Sequence, residues 1–123
     1  MSVTRPAAVA GMFYPADSAQ LRAQVQACLG ELVHQCGGAA PKLLIVPHAG
    51  YIYSGPIAGR AYAELAASAD RISRVVLLGP THRVAVRGLA VPSADAFETP
   101  LGVVRIDAAA RDSLADLAQV VKS

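Results

Sequence analysis

Lys42-Leu43-Leu44-Ile45-Val46 and Arg74-Val75-Val76-Leu77-Leu78-Gly79 are two apolar runs of strand length, and the residues between them carry the period of a helix. A run without polar alternation suits a strand covered on both faces, which is the mark of a parallel sheet. Between the runs, Ser54 can cap a helix with Pro56 in its first turn, and Ile57, Ala58, Ala61, Tyr62 and Leu65 supply an inward face before the helix ends near Ser68. Strand, helix and strand within roughly forty residues predict a right-handed βαβ crossover and an α/β fold.

Upstream, residues 5–15 form an irregular lead-in whose apolar cluster must pack somewhere. Asp17 and Gln20 resemble a capping box, and Leu21, Val25, Cys28, Leu29 and Leu32 recur at helical spacing, which predicts a helix over 17–34 closed by Gly37-Gly38. Downstream, two short β segments are expected near 88–91 and 103–106, with a loop over 93–100 between them. Asp107 should cap a last helix in which Leu114, Leu117 and Val121 share a face up to the end of the chain.

A chain of 123 residues has room for one domain or part of one. Apolar residues make up 54% and charged residues 16%, against about 45–50% and about 25% in ordinary soluble domains. The surplus predicts apolar surface covered by something outside this chain, a missing C-terminal portion or another subunit. A formal charge of +2 without a basic run, 5% aromatic residues and no tryptophan speak against a nucleic-acid partner. No stretch approaches the roughly 18 consecutive apolar residues of a membrane span, and Pro6 and Gly11 interrupt any secretory core, so a cytoplasmic chain is expected. Cys28 and Cys36 have neither redox nor zinc-knuckle spacing and read as reduced thiols, Cys28 on a helix face.

The chemistry sits just past the two strand-like runs, in Pro47-His48-Ala49-Gly50-Tyr51 and Gly79-Pro80-Thr81-His82. Adjacent parallel strands lie about 4.8 Å apart, so side chains beyond their carboxyl ends can share one crevice. His48 and His82 are therefore candidate metal ligands; the plainer alternative is a pair of hydrogen-bonded turn residues. Two histidines with a carboxylate suit non-haem iron, whereas other third donors favour zinc or copper. Asp95 and Glu98 are possible third donors in this chain, with solvated loop positions as their ordinary reading. The stretch Gly50-Tyr51-Ile52-Tyr53-Ser54-Gly55-Pro56 runs into a helix N-terminus, where amides and the dipole favour an anion. Tyr51, Tyr53, Ser54 and Gly55 are thus candidate substrate-binding residues, although the tyrosines could simply cover the helix end. His34 reads as a cation at a helix C-terminus, and Arg83 as solvated or facing an anionic ligand.

Four stretches in order, Arg5-Pro6 through Gly11-Met12-Phe13-Tyr14-Pro15, Pro47-His48-Ala49-Gly50-Tyr51 with Ser54-Gly55, Gly79-Pro80-Thr81-His82, and Glu98-Thr99-Pro100-Leu101-Gly102, closely resemble the Memo-like family, called AmmeMemoRadiSam system protein B in bacteria. The resemblance implies a layered α/β sandwich with a largely parallel central sheet flanked by helices, similar to class III extradiol dioxygenases. It matches His48 and His82 to the first two metal-binding histidines of the family and implies iron or copper as cofactor. The family's further histidine, its cysteine and a Glu-His-Ser segment lie in a C-terminal portion, and neither Cys28 nor Cys36 matches that cysteine. The resemblance therefore implies that residues 1–123 are the N-terminal part of one Memo-like domain, with the third metal ligand not in this chain.

Three functions follow as expectations. One is a metal-dependent redox or dioxygenase-like enzyme, with a small-molecule substrate oriented by the anion loop. Another is a non-catalytic module for a peptide or an anionic ligand, which has a family basis in the link of animal Memo to signalling. A third is a metal-dependent hydrolase with Asp95 or Glu98 as general base.

Overall fold

The computed structural model describes residues 1–31 and 38–123. They fall into two compact units, Val9–Val76, and Met1–Ala8 with Leu77–Ser123. The fold is mixed α/β, and parallel pairing occurs in both sheets.

The first unit is helical. Helix α1 spans Ser18–Leu29 and starts where the Asp17 carboxylate accepts the Gln20 amide at 2.9 Å, as a capping side chain should. It stops short of the expected residue 34, because Gly30 turns to φ 61° while its amide still reaches the Gln26 carbonyl, a left-handed exit that favours glycine. The expectations for Leu32, His34, Cys36 and Gly37 lie outside the described residues.

Helix α2 spans Tyr51–Ala63 and is followed by a 3-10 turn at Ala66–Ser68. It begins earlier than the sequence suggests, with Gly50 as N-cap, so Ser54 and Pro56 are inside it. Its packed side also differs from expectation. The buried positions are Ser54, Gly55, Gly59 and Ala63, whereas Ile57 is exposed. Small residues four apart make one stripe down a helix, and here the stripe lets α1 come close. A Cβ built on Gly59 would overlap the Cys28 carbonyl, and one on Gly55 would lie 2.8 Å from Cys28 Sγ. Shape, not side-chain size, selects the seam.

The second unit is strand-rich. Strands β1 (Thr4–Arg5), β2 (Leu89–Val91), β3 (Ala96–Thr99), β4 (Gly102–Arg105) and β5 (Val120–Lys122) form a three-stranded sheet of order β1-β3-β4 and a parallel β2-β5 pair. Thr4 and Arg5 align with Ala96 and Phe97 in parallel, and β3 turns back into antiparallel β4 with Thr99 opposite Gly102. The Thr99 hydroxyl donates to the Gly102 carbonyl at 2.8 Å and accepts the Leu101 amide at 3.1 Å, so Glu98-Thr99-Pro100-Leu101-Gly102 is a hairpin turn. The expected loop over 93–100 is thus half strand, because Phe97, Glu98 and Thr99 find partners in Val104, Val103 and Gly102.

Helix α3 (Ala108–Ser113) has the foreseen cap, with Asp107 Oδ1 accepting the Ala110 amide at 2.9 Å. It is only a turn and a half long. The expected helical face through Val121 is broken because Val120, Val121 and Lys122 pair with Leu89, Ala90 and Val91, and β-branched residues accept that ladder readily. Arg111, from α3, donates to the Ala94 carbonyl at 2.8 Å and lies 3.8 Å from Asp95, whose other oxygen accepts the Val3 amide at 2.9 Å.

The two runs that predicted a parallel pair, 42–46 and 74–79, join neither sheet among the described residues. Residues 74–79 are exposed throughout, with Leu77 at 81%, and in 42–46 Leu43 and Ile45 are exposed while Leu44 and Val46 are half-buried. An all-apolar strand is stable only with cover on both faces, and among the described residues neither segment has it.

Candidate functional site

The helical unit holds a cavity of about 710 Å³ between α1, α2 and the segment that precedes α2. Its walls are apolar, with Val25, Cys28 and Leu29 from α1 and Ala58, Gly59 and Tyr62 from α2. Val9, Phe13 and Tyr14 of the lead-in close another side, and Leu65 and Ile72 another. Pro47, His48 and Ala49 lie along it, as do Tyr51, Ser54 and Gly55. Four of the candidate residues, His48, Tyr51, Ser54 and Gly55, are therefore gathered at one cavity.

Three of them, Tyr51, Ser54 and Gly55, are fixed by contacts within the unit. The Ser54 hydroxyl is buried and accepts the Ala49 amide at 2.8 Å, which ties the residue after His48 to the first turn of α2. Tyr51 donates its amide to the Phe13 carbonyl at 2.8 Å, and its ring meets Tyr14 at 5.6 Å between centroids in a tilted contact. Gly55 is pressed against Cys28. Burial, helped by the neighbouring Tyr14, Cys28 and Tyr62 groups, raises the Tyr51 phenol above its ordinary 10.0. The phenol is therefore a neutral hydrogen-bond donor at physiological pH. The Ala49, Tyr51 and Tyr53 amides already donate within the chain, so less of the helix head is left for an anion than the sequence suggests.

Tyr53 goes elsewhere. It is exposed and lines a smaller cleft of about 570 Å³ with Met12, Phe13, Gln20 and Gln24. His48 and His82 are both exposed, and they belong to different compact units. Among the described residues, no group of three or more His, Cys, Asp or Glu side chains is placed to hold a metal ion. Imidazole suits iron or copper, yet the donor set on view is incomplete for either. Asp95 accepts the Val3 amide and lies beside Arg111, and Glu98 is exposed on β3 opposite Val103. Spacing alone did not bring Phe13, Tyr14 and Cys28 to the cavity. Only the Gly11-Met12-Phe13-Tyr14-Pro15 stretch, already notable as one of the four familiar ones, could have flagged the first two.

The family described as Memo-like protein matches residues 5–123. This chain belongs to the Memo-like protein family. It is 41% identical over 114 residues to a MEMO1 family protein of Aquifex aeolicus, covering 93% of this chain and 40% of that protein. It is 42% identical over 115 residues to one of Methanothermobacter thermautotrophicus, covering 85% and 39%. Protein MEMO1 of Danio rerio is 40% identical over 105 residues, covering 85% of this chain and 34% of its own length. The Memo-like chain described here therefore spans about two fifths or less of these relatives. No helix among its described residues is long and apolar enough to cross a membrane.

Proposed function

We propose that this Memo-like chain contributes two imidazoles, His48 and His82, to a metal-centred pocket with a redox or dioxygenase-like role in the cytoplasm, iron or copper being the ion and the remaining donors lying outside the described residues. The observation that carries this reading is the setting of His48. It stands beside an apolar cavity, on a segment held by Ser54 and Phe13, with the neutral Tyr51 phenol nearby. Apolar walls exclude water and strengthen any polar contact made inside. Within such walls Tyr51 would donate a hydrogen bond to an oxygen or an anionic group of a small substrate, and Ser54 and Gly55 would shape the floor. Bound there, iron or copper would supply electron transfer or oxygen chemistry.

The exposed apolar side chains of 42–46 and 74–79 support a second element of the proposal. Polypeptide equivalent to the remainder of the relatives, or another subunit, covers them. A peptide-binding role without metal is the competing reading, and the exposed Tyr53 cleft favours it.

Titration of the chain with Cu(II) alone, followed by the visible and electron paramagnetic resonance spectra, tests the metal reading. His48→Ala and His82→Ala should each weaken binding about tenfold or more and reduce the nitrogen hyperfine structure to that of a single imidazole. Unchanged affinity and spectrum in both variants would leave the peptide-binding module as the better account.

A further inference from the structure

We propose that the lead-in turn and Ser54 together form a positioning clamp for the His48 loop, so that residues far upstream set where the imidazole stands. The inference rests on the metal reading of His48, but its geometry is independent of any ion.

The clamp has two jaws. From inside α2, the Ser54 hydroxyl accepts the Ala49 amide at 2.8 Å. From the lead-in, the Phe13 carbonyl accepts the Tyr51 amide at 2.8 Å, and the Tyr14 ring packs on the Tyr51 ring. The lead-in is itself a closed turn, since Gly11 donates to the Tyr14 carbonyl at 2.7 Å and Met12 and Phe13 both donate to the Val9 carbonyl at 3.0 Å. Amides on either side of Gly50 are thus fixed by two acceptors of different origin, immediately after His48. A loop with one tether can swing about it; a loop with two cannot. Ligand placement of this kind is what outer groups do at metal centres, where they hold the ligating side chain and tune its affinity. Ser54 is on this view a positioning residue as well as part of the cavity floor, and Tyr14 belongs to the site although it bears no ligand.

Amide hydrogen exchange by NMR and Cu(II) titration of the same 123-residue chain test the proposal. Tyr14→Ala should accelerate exchange at Tyr51 about fivefold, and Ser54→Ala should accelerate exchange at Ala49 about tenfold. The Leu21 amide, which donates to the Asp17 carbonyl in α1, should stay unchanged as the internal reference. Each variant should weaken Cu(II) binding by less than His48→Ala does, while Tyr14→Phe, which keeps the ring contact, should behave as the native chain. Unaltered exchange at Tyr51 and Ala49 in the two variants overturns the clamp, as does unaltered Cu(II) affinity with His48→Ala still harmful. If His48→Ala itself leaves Cu(II) affinity unchanged, the metal reading fails, and the exchange rates alone then decide whether the clamp exists.

Discussion

The helical unit and the strand-rich unit solve the same problem with different physics. In the first, α1 and α2 meet through missing side chains. Gly55 and Gly59 leave a notch that Cys28 fills, and the site residues hang from the end of the helix so placed. In the second, short strands are tied by backbone ladders, and one cation, Arg111, gathers the Pro92 and Ala94 carbonyls beside the Asp95 carboxylate. Close approach tolerates almost no added atom, because interiors are already packed to the density of organic crystals. A polar staple tolerates added bulk but not the loss of its partner, since a carbonyl left dry has no substitute for a lost donor.

The sharpest way to break the contrast is to add one methyl group to each unit. Gly59→Ala places a Cβ on the Cys28 carbonyl, and Gly88→Ala places one on the Gln119 carbonyl at a residue whose φ is +87°. Both should cost about 3 kcal/mol or more, read as a lowered urea midpoint, with Gly88→Ala the worse because it adds backbone strain to the overlap. If Gly59→Ala proved neutral, α1 and α2 would not be held by shape. Arg111→Met comes next. It keeps the bulk of a side chain only 10% exposed but removes its donors to the Ala94 and Pro92 carbonyls, at about 2 kcal/mol. Exchange at the β3 amides should rise, and an equal rise in α1 would show that the staple serves more than its own sheet.

The smallest effect concerns the cavity. Tyr51 has a raised phenol pKa in the folded chain, so the folded state keeps its proton where the unfolded state loses it. Its contribution to stability is complete below the ordinary 10.0 and declines as pH rises through the higher folded value. Stability of Tyr51→Phe should therefore fall less steeply above pH 10 than that of the native chain, in urea titrations at several alkaline pH values; identical slopes would mean that burial of the phenol contributes nothing.

Much of this was legible in the residues because it is local. Asp17 and Asp107 cap helices within three residues of themselves, a contact that sequence spacing encodes directly. The short strands near 89 and 103 sit where β-branched residues and turns put them, and the familiar stretches around His48 and Glu98 already pointed to the family. Other features were not legible. Gly30 ends α1 early, the tail of the chain pairs with β2 rather than prolonging α3, and β3 exists because β1 and β4 flank it.

The sequence by itself determined the mixed α/β class, the family and the candidate imidazoles, because side-chain type, capping and short-range period are properties of neighbours along the chain. Only the tertiary structure decided that small residues make the α1–α2 seam, that Phe13 and Tyr14 hold the segment after His48, and that Asp95 is bound to Val3 and Arg111. Those contacts join residues far apart in the chain, where burial and the geometry of approach, not local preference, choose the partner.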